Sequence, residues 1–247
     1  MLTEKRQDEI VKLLREKESV TVQELKEFFQ ASESTIRRDL TTLHNKGKLV
    51  KVFGGAVSAE NGVITTEDVV ALREERNRDE KLSIARYAAA LIGERDFVYL
   101  DAGTTTGYMI DFITQDSATY VTNAVSHAQR LAKKGFQVIL IGGELKAMTE
   151  AVVGSEAVAN VEKYHFSIGF FGTNGISRTA GFTTLDIKEA AVKRCAMEHS
   201  LRRYVLGDGK KFDQIAPVSF GNFYDSTILT DKIPQEGYAG CVNLIEV

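Results

Sequence analysis

The fold is decided by residues 32–40, Ser-Glu-Ser-Thr-Ile-Arg-Arg-Asp-Leu, together with residues 48–56, Lys-Leu-Val-Lys-Val-Phe-Gly-Gly-Ala. The first stretch predicts a short helix, because Ile36, Leu40 and Leu43 recur at helical spacing and would face a small core. Its other face carries hydroxyls and two arginines. The second stretch predicts a basic hairpin that ends in glycines. A helix narrow enough for a DNA groove, with a positive hairpin beside it, is typical of a DNA-binding module.

Two further helices are expected before this one. Residues 3–17 carry apolar positions at helical spacing. Thr21 and Glu24 match a capping box, in which the threonine hydroxyl accepts from the third helical amide and the glutamate carboxylate accepts from the amide of the cap residue. The helix that this box opens is expected to bury three apolar side chains, Leu25, Phe28 and Phe29.

A tight turn at residues 30–31 then leads to Ser32, which can cap the third helix. Three helices with a tight turn between the last two predict a helix-turn-helix, whose last helix lies in the DNA major groove. Arginine can grip guanine O6 and N7, and lysines of the hairpin can contact phosphate. The predicted DNA-binding residues are Ser32, Ser34, Thr35, Arg37, Arg38, Thr41, Lys48 and Lys51. The alternative is a three-helix interaction module with an ordinary charged face.

The charge of the chain is unevenly distributed. The formal net charge of the 247 residues is -3, yet residues 32–55 hold five bases and two acids. The local excess of positive charge can bind phosphates. The rest of the chain is acidic, which argues against general coating of nucleic acid.

Cys195 and Cys241 do not suggest a disulfide framework, which favours a reducing cytosol. No apolar run approaches the roughly 20 residues of a membrane helix, and the four histidines share no metal-ligand spacing, so neither membrane nor metal is expected.

The second part of the chain has the pattern of an α/β domain. Residues 57–68 are small, polar and weakly patterned, which predicts a hinge, and residues 79–92 predict a helix. Seven apolar runs then alternate with helical patterns, at residues 97–100, 120–121, 136–141, 166–171, 204–206, 227–229 and 242–245. This alternation predicts a parallel sheet covered by helices, and such sheets bind ligands at the carboxyl ends of their strands.

Polar loops follow several of these runs. Residues 101–107, Asp-Ala-Gly-Thr-Thr-Thr-Gly, come between a predicted strand and a predicted helix. Glycines let backbone amides approach an anion, threonine hydroxyls add donors, and a helix N-terminus adds a favourable dipole. Similar loops lie at residues 122–123, 142–144 and 172–175. One such loop is more often just a turn, but several of them indicate a shared pocket.

Two lysines complete the candidate pocket, because a phosphate monoester needs a point charge beside directional donors. Lys193 lies on a predicted helix that follows residues 183–186. The alternative interpretation of Lys193 is an ordinary solvated surface lysine. Lys211 lies in the loop at residues 207–212, after another strand. The predicted effector-binding residues are Asp101, Gly103, Thr104, Thr105, Thr106, Thr122, Asn123, Gly142, Gly143, Glu144, Asn174, Asp186, Lys193, Asp208 and Lys211. No catalytic residue is predicted.

The chain resembles the DeoR-type family of bacterial sugar-operon repressors. Residues 32–40, 54–56, 80–81 and 101–106 carry the resemblance, which covers essentially the whole chain. Before Lys211 the family has Ser-Ser where this chain has Gly-Lys.

The second part also resembles the fold of ribose-phosphate isomerases and CoA transferases. In those isomerases a glycine and hydroxyl loop holds phosphate, and an Asp-x-x-Lys segment similar to Asp208 and Lys211 contributes a lysine. Their catalytic block, a lysine followed by a glycine run and a glutamate, has no counterpart here. The resemblance therefore implies recognition of a phosphorylated sugar without turnover, because proton transfer requires a positioned base.

Together these observations predict an α/β protein with a winged helix-turn-helix over residues 1–57, a linker over 58–76 and a larger sensor and oligomerisation domain over 77–247. The resemblance implies a cytoplasmic bacterial repressor, associated with the nucleoid when bound, that is not an enzyme and forms dimers or tetramers. Its implied partners are double-stranded operator DNA and a phosphorylated sugar, with fructose 1-phosphate the first choice and tagatose 6-phosphate next. No cofactor is implied. The alternatives are an isomerase-like enzyme fused to a DNA-binding module, and an activator or structural DNA binder without effector control.

Overall fold

The chain separates into two compact units, residues 1–64 and 65–247, in the computed structural model. The structure describes residues 3–17, 19–46, 48–52, 55–58 and 70–247. Most of the predicted hinge and linker, at residues 59–69, lies outside the described residues. The remainder of the predicted linker contains a short helix, Val70–Glu75.

The first unit is a winged helix-turn-helix, as the sequence predicts. Its elements are α1 (Thr3–Lys17), β1 (Ser19–Thr21), α2 (Val22–Phe29), α3 (Glu33–Asn45), β2 (Leu49–Val52) and β3 (Gly55–Ser58). The strands form an antiparallel sheet in the order β1-β3-β2. The capping box of Thr21 and Glu24 is present at the start of α2, and Gln30 ends that helix in the left-handed conformation, with φ 48°.

The core of this unit follows the predicted spacing with one exception. Ile36 and Leu40 of α3 are fully buried, and Leu25 of α2 is 1% exposed. Phe28, however, is 61% exposed and was wrongly expected in the core. The positions of α2 that face inward are 22, 25 and 29, which follow the helical period, and Phe28 lies beside that face with its ring edge against Phe29.

The second unit contains seven helices and twelve strands within its described residues. Its helices are α4 (Val70–Glu75), α5 (Arg78–Ala90), α6 (Thr104–Phe112), α7 (Val125–Lys133), α8 (Ser155–Val161), α9 (Ile187–Glu198) and α10 (Gln235–Tyr238). The strands are β4 (Phe97–Leu100), β5 (Thr119–Thr122), β6 (Gln137–Leu140), β7 (Glu144–Lys146), β8 (Ala151–Val153), β9 (Phe166–Gly172), β10 (Gly175–Ser177), β11 (Gly181–Thr184), β12 (Ser200–Leu206), β13 (Val218–Gly221), β14 (Thr227–Thr230) and β15 (Leu244–Glu246).

Seven of these strands form one parallel sheet in the order β15-β14-β12-β9-β4-β5-β6. Each of the seven predicted apolar runs corresponds to one of its strands. The antiparallel hairpin β7–β8 and the small antiparallel sheet β10-β11-β13 were not predicted, because their strands have only three or four residues.

The strand order places a topological switch point between β4 and β9. From β4 the chain proceeds outward through β5 and β6, and then returns to the other side of β4 as β9. Helices cover both faces: Val98 and Leu100 of β4 pack in one core with α5 and α6, and Tyr99 between them packs in the other core with α9. A crevice is expected where connections leave a switch point in opposite directions.

Candidate functional site

The outer face of α3 carries the predicted DNA-contact residues. Ser32 caps the helix by accepting from the amide of Thr35 at 3.3 Å. Ser34, Arg37, Arg38 and Thr41 are exposed, and Thr35 is half-buried. The polar and apolar faces of α3 therefore separate as the sequence predicts.

The charge of this face is more positive than its sequence suggests. Asp39, one of the two acids in the basic stretch, is 2% exposed and turned inward. It accepts from Arg6 Nε at 2.6 Å and from Gln7 Nε2 at 3.0 Å. Glu33 remains outside and pairs with Arg37, with Nη2 and Oε1 2.7 Å apart.

The hairpin of β2 and β3 adds cations beside α3. Lys51 Nζ donates to the Thr41 hydroxyl at 3.0 Å, so the hairpin and α3 present their polar groups together. Lys48 is exposed. Because these lysines are exposed, they can contact DNA phosphates without first breaking buried interactions.

The second candidate site is a crevice at the switch point between β4 and β9. Five residues predicted as effector ligands line it: Asp101, Gly103, Asn123, Asn174 and Lys193. Four polar residues that were not among the predicted ligands also line it: Arg73, Thr173, Thr184 and Glu189. The carboxyl ends of these strands thus meet at one polar crevice.

Asp101 is the centre of the hydrogen bonding in the crevice. Its side chain is 1% exposed. Oδ1 accepts from the amide of Gly103 and the hydroxyl of Thr106, both at 2.9 Å, and Oδ2 accepts from the amide of Gly172 at 2.7 Å. Lys193 Nζ also donates to Oδ2. One buried carboxylate therefore joins the segment after β4, the end of β9 and the helix α9.

Lys193 is not the solvated surface lysine of the alternative interpretation. Its side chain is only 12% exposed, and its amine donates to the carbonyl of Gly172 at 3.0 Å as well as to Asp101. The amine also lies over the ring of Phe220, 5.4 Å from its centroid. The crevice therefore contains a lysine whose charge is largely matched before any ligand arrives.

The predicted threonine ligands at residues 104–106 form the first turn of α6. Thr106 is fully buried, and its hydroxyl donates within the loop to Asp101 and Gly103. Thr105 is 8% exposed and Thr104 is half-buried. None of the three lines the crevice formed by the described residues. Thr122 is also fully buried, and its hydroxyl accepts from the amide of Ala124 at 3.1 Å.

Other predicted ligands lie at the rim or outside. Gly142, Gly143 and Glu144 are exposed, and Glu144 pairs with Lys188 at 2.6 Å. Asp186 caps α9 by accepting from the amides of residues 188 and 189. Burial opposes ionisation of Asp186, but the amide of Glu189 and the amine of Lys146 outweigh it and lower the pKa of its carboxyl.

Glu189 is a crevice residue that sequence reasoning missed. It is 8% exposed, and its Oε1 accepts from Thr149 Oγ1 at 2.6 Å and Lys146 Nζ at 3.2 Å. Elsewhere in the crevice the Thr184 hydroxyl donates to Asn174 Oδ1 at 3.1 Å. Carboxylate, amide and hydroxyl groups at these positions supply both donors and acceptors, which suits a polyhydroxylated ligand.

Asp208 and Lys211 lie beyond the crevice, where β12 ends. Asp208 is 3% exposed and accepts from Asn77 Nδ2 at 3.1 Å. Lys211 is half-buried in a 3-10 turn and acts electrostatically on Lys81 of α5. Burial, and then Lys211, lower the pKa of Lys81 to about 8.

Sequence reasoning did not predict that Lys81 is buried, although one signal was available. Lys81 shares the buried face of α5 with Ile84, Ala85 and Ala88, and a lysine on an apolar face is rarely buried without a function or a partner. Arg73 gave no comparable signal.

Among the residues that the structure describes, no group of three or more His, Cys, Asp or Glu side chains could hold a metal ion. No helix among them combines the length and the apolar character needed to cross a membrane.

Comparison with known proteins gives two family matches. A DeoR-like helix-turn-helix domain matches residues 6–72, and a DeoR C-terminal sensor domain matches residues 76–232. One relative is the "Uncharacterized HTH-type transcriptional regulator FruR" of Bacillus subtilis (strain 168), 41% identical over 93% of this chain and 91% of the relative. Another is the "Lactose phosphotransferase system repressor" of Staphylococcus aureus (strain N315), 35% identical over 98% of this chain and 97% of the relative.

Solved structures resemble the chain only in part. Ribose 5-phosphate isomerase A from Methanocaldococcus jannaschii has a TM-score of 0.39 and 14% identity, over 55% of each chain. The translation initiation factor eIF-2B from Pyrococcus horikoshii OT3 has a TM-score of 0.42 and 15% identity, over 57% of this chain and 50% of the other. Likenesses of this size carry no argument about activity.

Proposed function

The chain belongs to the DeoR family of helix-turn-helix transcriptional regulators, and from that premise we propose that it represses a bacterial sugar-utilisation operon and is released from its operator by a phosphorylated sugar. It is a regulator and not an enzyme, as its relatives' names indicate. Its predicted membership of this family is confirmed.

The exposed face of α3 is the observation that carries the DNA-binding part of the proposal. A capped helix presents Ser34, Arg37 and Arg38 outward, with the basic hairpin beside it. We assign base reading to the two arginines and phosphate contact to Lys48 and Lys51. Ser32, Thr35 and Thr41 supply hydroxyls at the same face.

The switch-point crevice supports an effector that is both polyhydroxylated and anionic. Asn174, Thr184 and Glu189 offer polar groups for sugar hydroxyls, and Arg73 adds positive charge. One relative is named as the repressor of a lactose phosphotransferase system, and the other carries the name FruR. Because the name FruR points to fructose, fructose 1-phosphate is our first choice of effector.

Repression of this kind requires more than one copy of the chain. Two linked DNA-binding units gain effective concentration, and the spacing of operator half-sites becomes a geometric requirement. We propose a dimer or tetramer that forms through the sensor domain at residues 77–247 and acts in the bacterial cytoplasm. No cofactor enters this account.

A gel-shift titration tests the proposal. The full chain is bound to DNA from upstream of its own gene and of the neighbouring genes, and sugar phosphates are added one at a time. A coupling of roughly 1–3 kcal/mol would weaken DNA binding about 5–150-fold for the effector, whereas the same sugars without phosphate should have no effect. DNA binding that no sugar phosphate changes would contradict release by an effector, and would favour a structural DNA binder.

A further inference from the structure

The two edges of the parallel sheet differ in how they are protected. The sheet ends in β6 on one side and in β15 on the other, and each of these strands has one partner in the described sheet. Sheet edges expose unpaired backbone groups, and proteins protect them with charged side chains, proline, a bulge or a very short strand. β15 has three residues, and the carboxylate of its Glu246 accepts from the amide of Ile233 at 2.8 Å. This edge is therefore protected by its length and by a charge.

The edge at β6 lacks the protective side chains. Residues 136–141 are Phe-Gln-Val-Ile-Leu-Ile, without a charge or a proline. The register of β6 with β5 is unbroken, so no bulge turns the strand away. Leu140 in this strand is 44% exposed. An apolar edge of this kind is a template for pairing with another strand.

The backbone of β6 offers unpaired groups at alternate residues. The amide of Ile141, directly after the strand, donates to the carbonyl of Thr122 at 2.9 Å. In a parallel pair each strand bonds its neighbour through alternate residues, so Ile139 also faces β5. Val138 and Leu140 consequently turn their amides and carbonyls outward. No strand in the described part of the chain pairs with this outer side.

The charges at the two ends of β6 suit an antiparallel copy of the same strand. Lys133 and Lys134 precede the strand and Glu144 follows it, and all three are exposed. Two copies related by a two-fold axis at Ile139 would place the lysines of each copy beside the glutamate of the other, and opposite charges across a strand pair are stabilising. The pair of Glu144 with Lys188 is itself exposed, so it is easily exchanged.

We propose that two copies of the chain pair through β6 in antiparallel orientation, so that their sheets join into one continuous sheet. Val138 and Leu140 of one copy lie opposite Leu140 and Val138 of the second copy, and these residues exchange the outward backbone bonds. A two-fold interface of this kind is closed, so the pairing does not propagate. The inference rests on the proposed oligomeric repressor, and adds which surface of the sensor unit joins the copies.

Antiparallel pairing keeps the two effector crevices apart. The crevice lies at the carboxyl ends of β4 and β9, and these ends point in opposite directions in the two halves of the joined sheet. Each crevice is then built from one copy alone, so a chain that cannot pair should still bind the effector. Such a chain should bind operator DNA weakly, because its DNA-binding unit is no longer linked to a second one.

Sedimentation equilibrium of the full chain tests the pairing. Leu140→Lys places a charge on the open edge, and should weaken self-association at least about tenfold and halve the mass of the assembly. Val242→Lys is the matched control, because Val242 is 97% exposed just before β15 at the other edge. That variant should associate as the wild type does. Circular dichroism checks that both variants are folded.

Hydrogen exchange of the wild type tests the same pairing without a substitution. The amides of Val138 and Leu140 should exchange more slowly at concentrations at which the chain associates than after dilution. The amides of Leu244–Glu246 at the other edge should not change. Equal protection of residues 138 and 140 in monomer and assembly would mean that another segment of the same chain covers the edge, and would overturn the proposal.

The outcomes separate this inference from the proposed function. A wild type that stays monomeric at every concentration would contradict the proposed oligomer, and the inference would fail with it. A wild type that associates, together with a folded Leu140→Lys that associates equally well, would overturn only the pairing through β6.

Gel shifts and titration with sugar phosphates add a readout of function. Leu140→Lys should lose at least about tenfold in operator affinity, since its DNA-binding units act singly. It should bind the same sugar phosphates as the wild type, with unchanged affinity. Loss of that binding by the folded variant would show that the crevice needs the second copy, which contradicts the antiparallel arrangement.

Discussion

The two candidate sites differ in whether their polar residues also stabilise the fold. On α3 most of the predicted contact residues face solvent, and Arg38 is exposed. At the crevice, Asp101 is buried and is bonded both to the hydroxyl of Thr106 and to the amine of Lys193. Function and stability are therefore separable at the DNA-binding face and coupled in the sensor unit. Changes in each region should make this contrast measurable.

The largest effect is expected from Asp101→Ala. The change leaves the amine of Lys193 buried without its carboxylate, together with the amides of Gly103 and Gly172, so the sensor unit should lose about 3–5 kcal/mol of unfolding free energy. Urea unfolding measures the loss. Asp111→Ala is the matched control, because its pair with Arg130 is exposed and should be worth less than about 1 kcal/mol. Equal effects of the two changes would remove the contrast.

The next effect depends on pH and concerns His127 of α7, whose ring lies beside Gly107 of α6. Burial lowers its pKa to about 4, with Arg130 adding to the effect and Asp101 partly offsetting it. The unfolded chain takes up this proton near pH 6.5 and the folded chain does not, so stability is lost as pH falls from 6.5 towards 4. The loss reaches about 3 kcal/mol at the lower limit.

Thermal unfolding across that range, for the wild type and His127→Gln, measures this contribution. The variant should lose less stability than the wild type between pH 6.5 and 4. His165→Gln, which changes an exposed imidazole, should follow the wild type. A steeper fall for His127→Gln would show that the imidazole is not held neutral by the fold.

Arg38→Ala should weaken specific operator binding by about 1–3 kcal/mol, because it removes a candidate base contact on an exposed face. Its unfolding free energy should change by less than about 0.5 kcal/mol. Footprinting on operator and on unrelated DNA measures the first quantity, and urea unfolding the second. Lys163→Ala, an exposed change in the sensor unit, should leave both unchanged. A normal footprint for Arg38→Ala and for Arg37→Ala would mean that α3 is not the recognition helix.

The smallest effect is expected from Thr21→Ala at the start of α2. The change removes the hydroxyl that accepts from the amide of Glu24 at 3.1 Å, and should cost about 1 kcal/mol in the DNA-binding unit alone. Urea unfolding followed by a probe in each unit measures it. Destabilisation of the sensor unit by the same amount would show that the two units do not unfold separately.

The sequence predicted the elements whose apolar pattern repeats over a few neighbouring residues. The inward face of α3 and the seven strands of the sheet repeat over a few residues, so their pattern is visible without a structure. The crevice depends on side chains far apart in the chain, such as Asp101 and Lys193, whose bond spans 92 residues. Loop composition showed which segments meet at the strand ends. It did not show that Thr106 turns inward, or that Arg73 reaches the crevice.

The close packing around Gly103 limits how this sensor can diversify. A Cβ at position 103 would lie 2.9 Å from Asp101 Oδ1 and 3.0 Å from Thr106 Oγ1, closer than a side chain normally approaches. Any side chain there would therefore disturb the bonds that Asp101 makes at the end of β4. New ligand preferences would have to arise by exchanging wall residues such as Asn174 and Thr184.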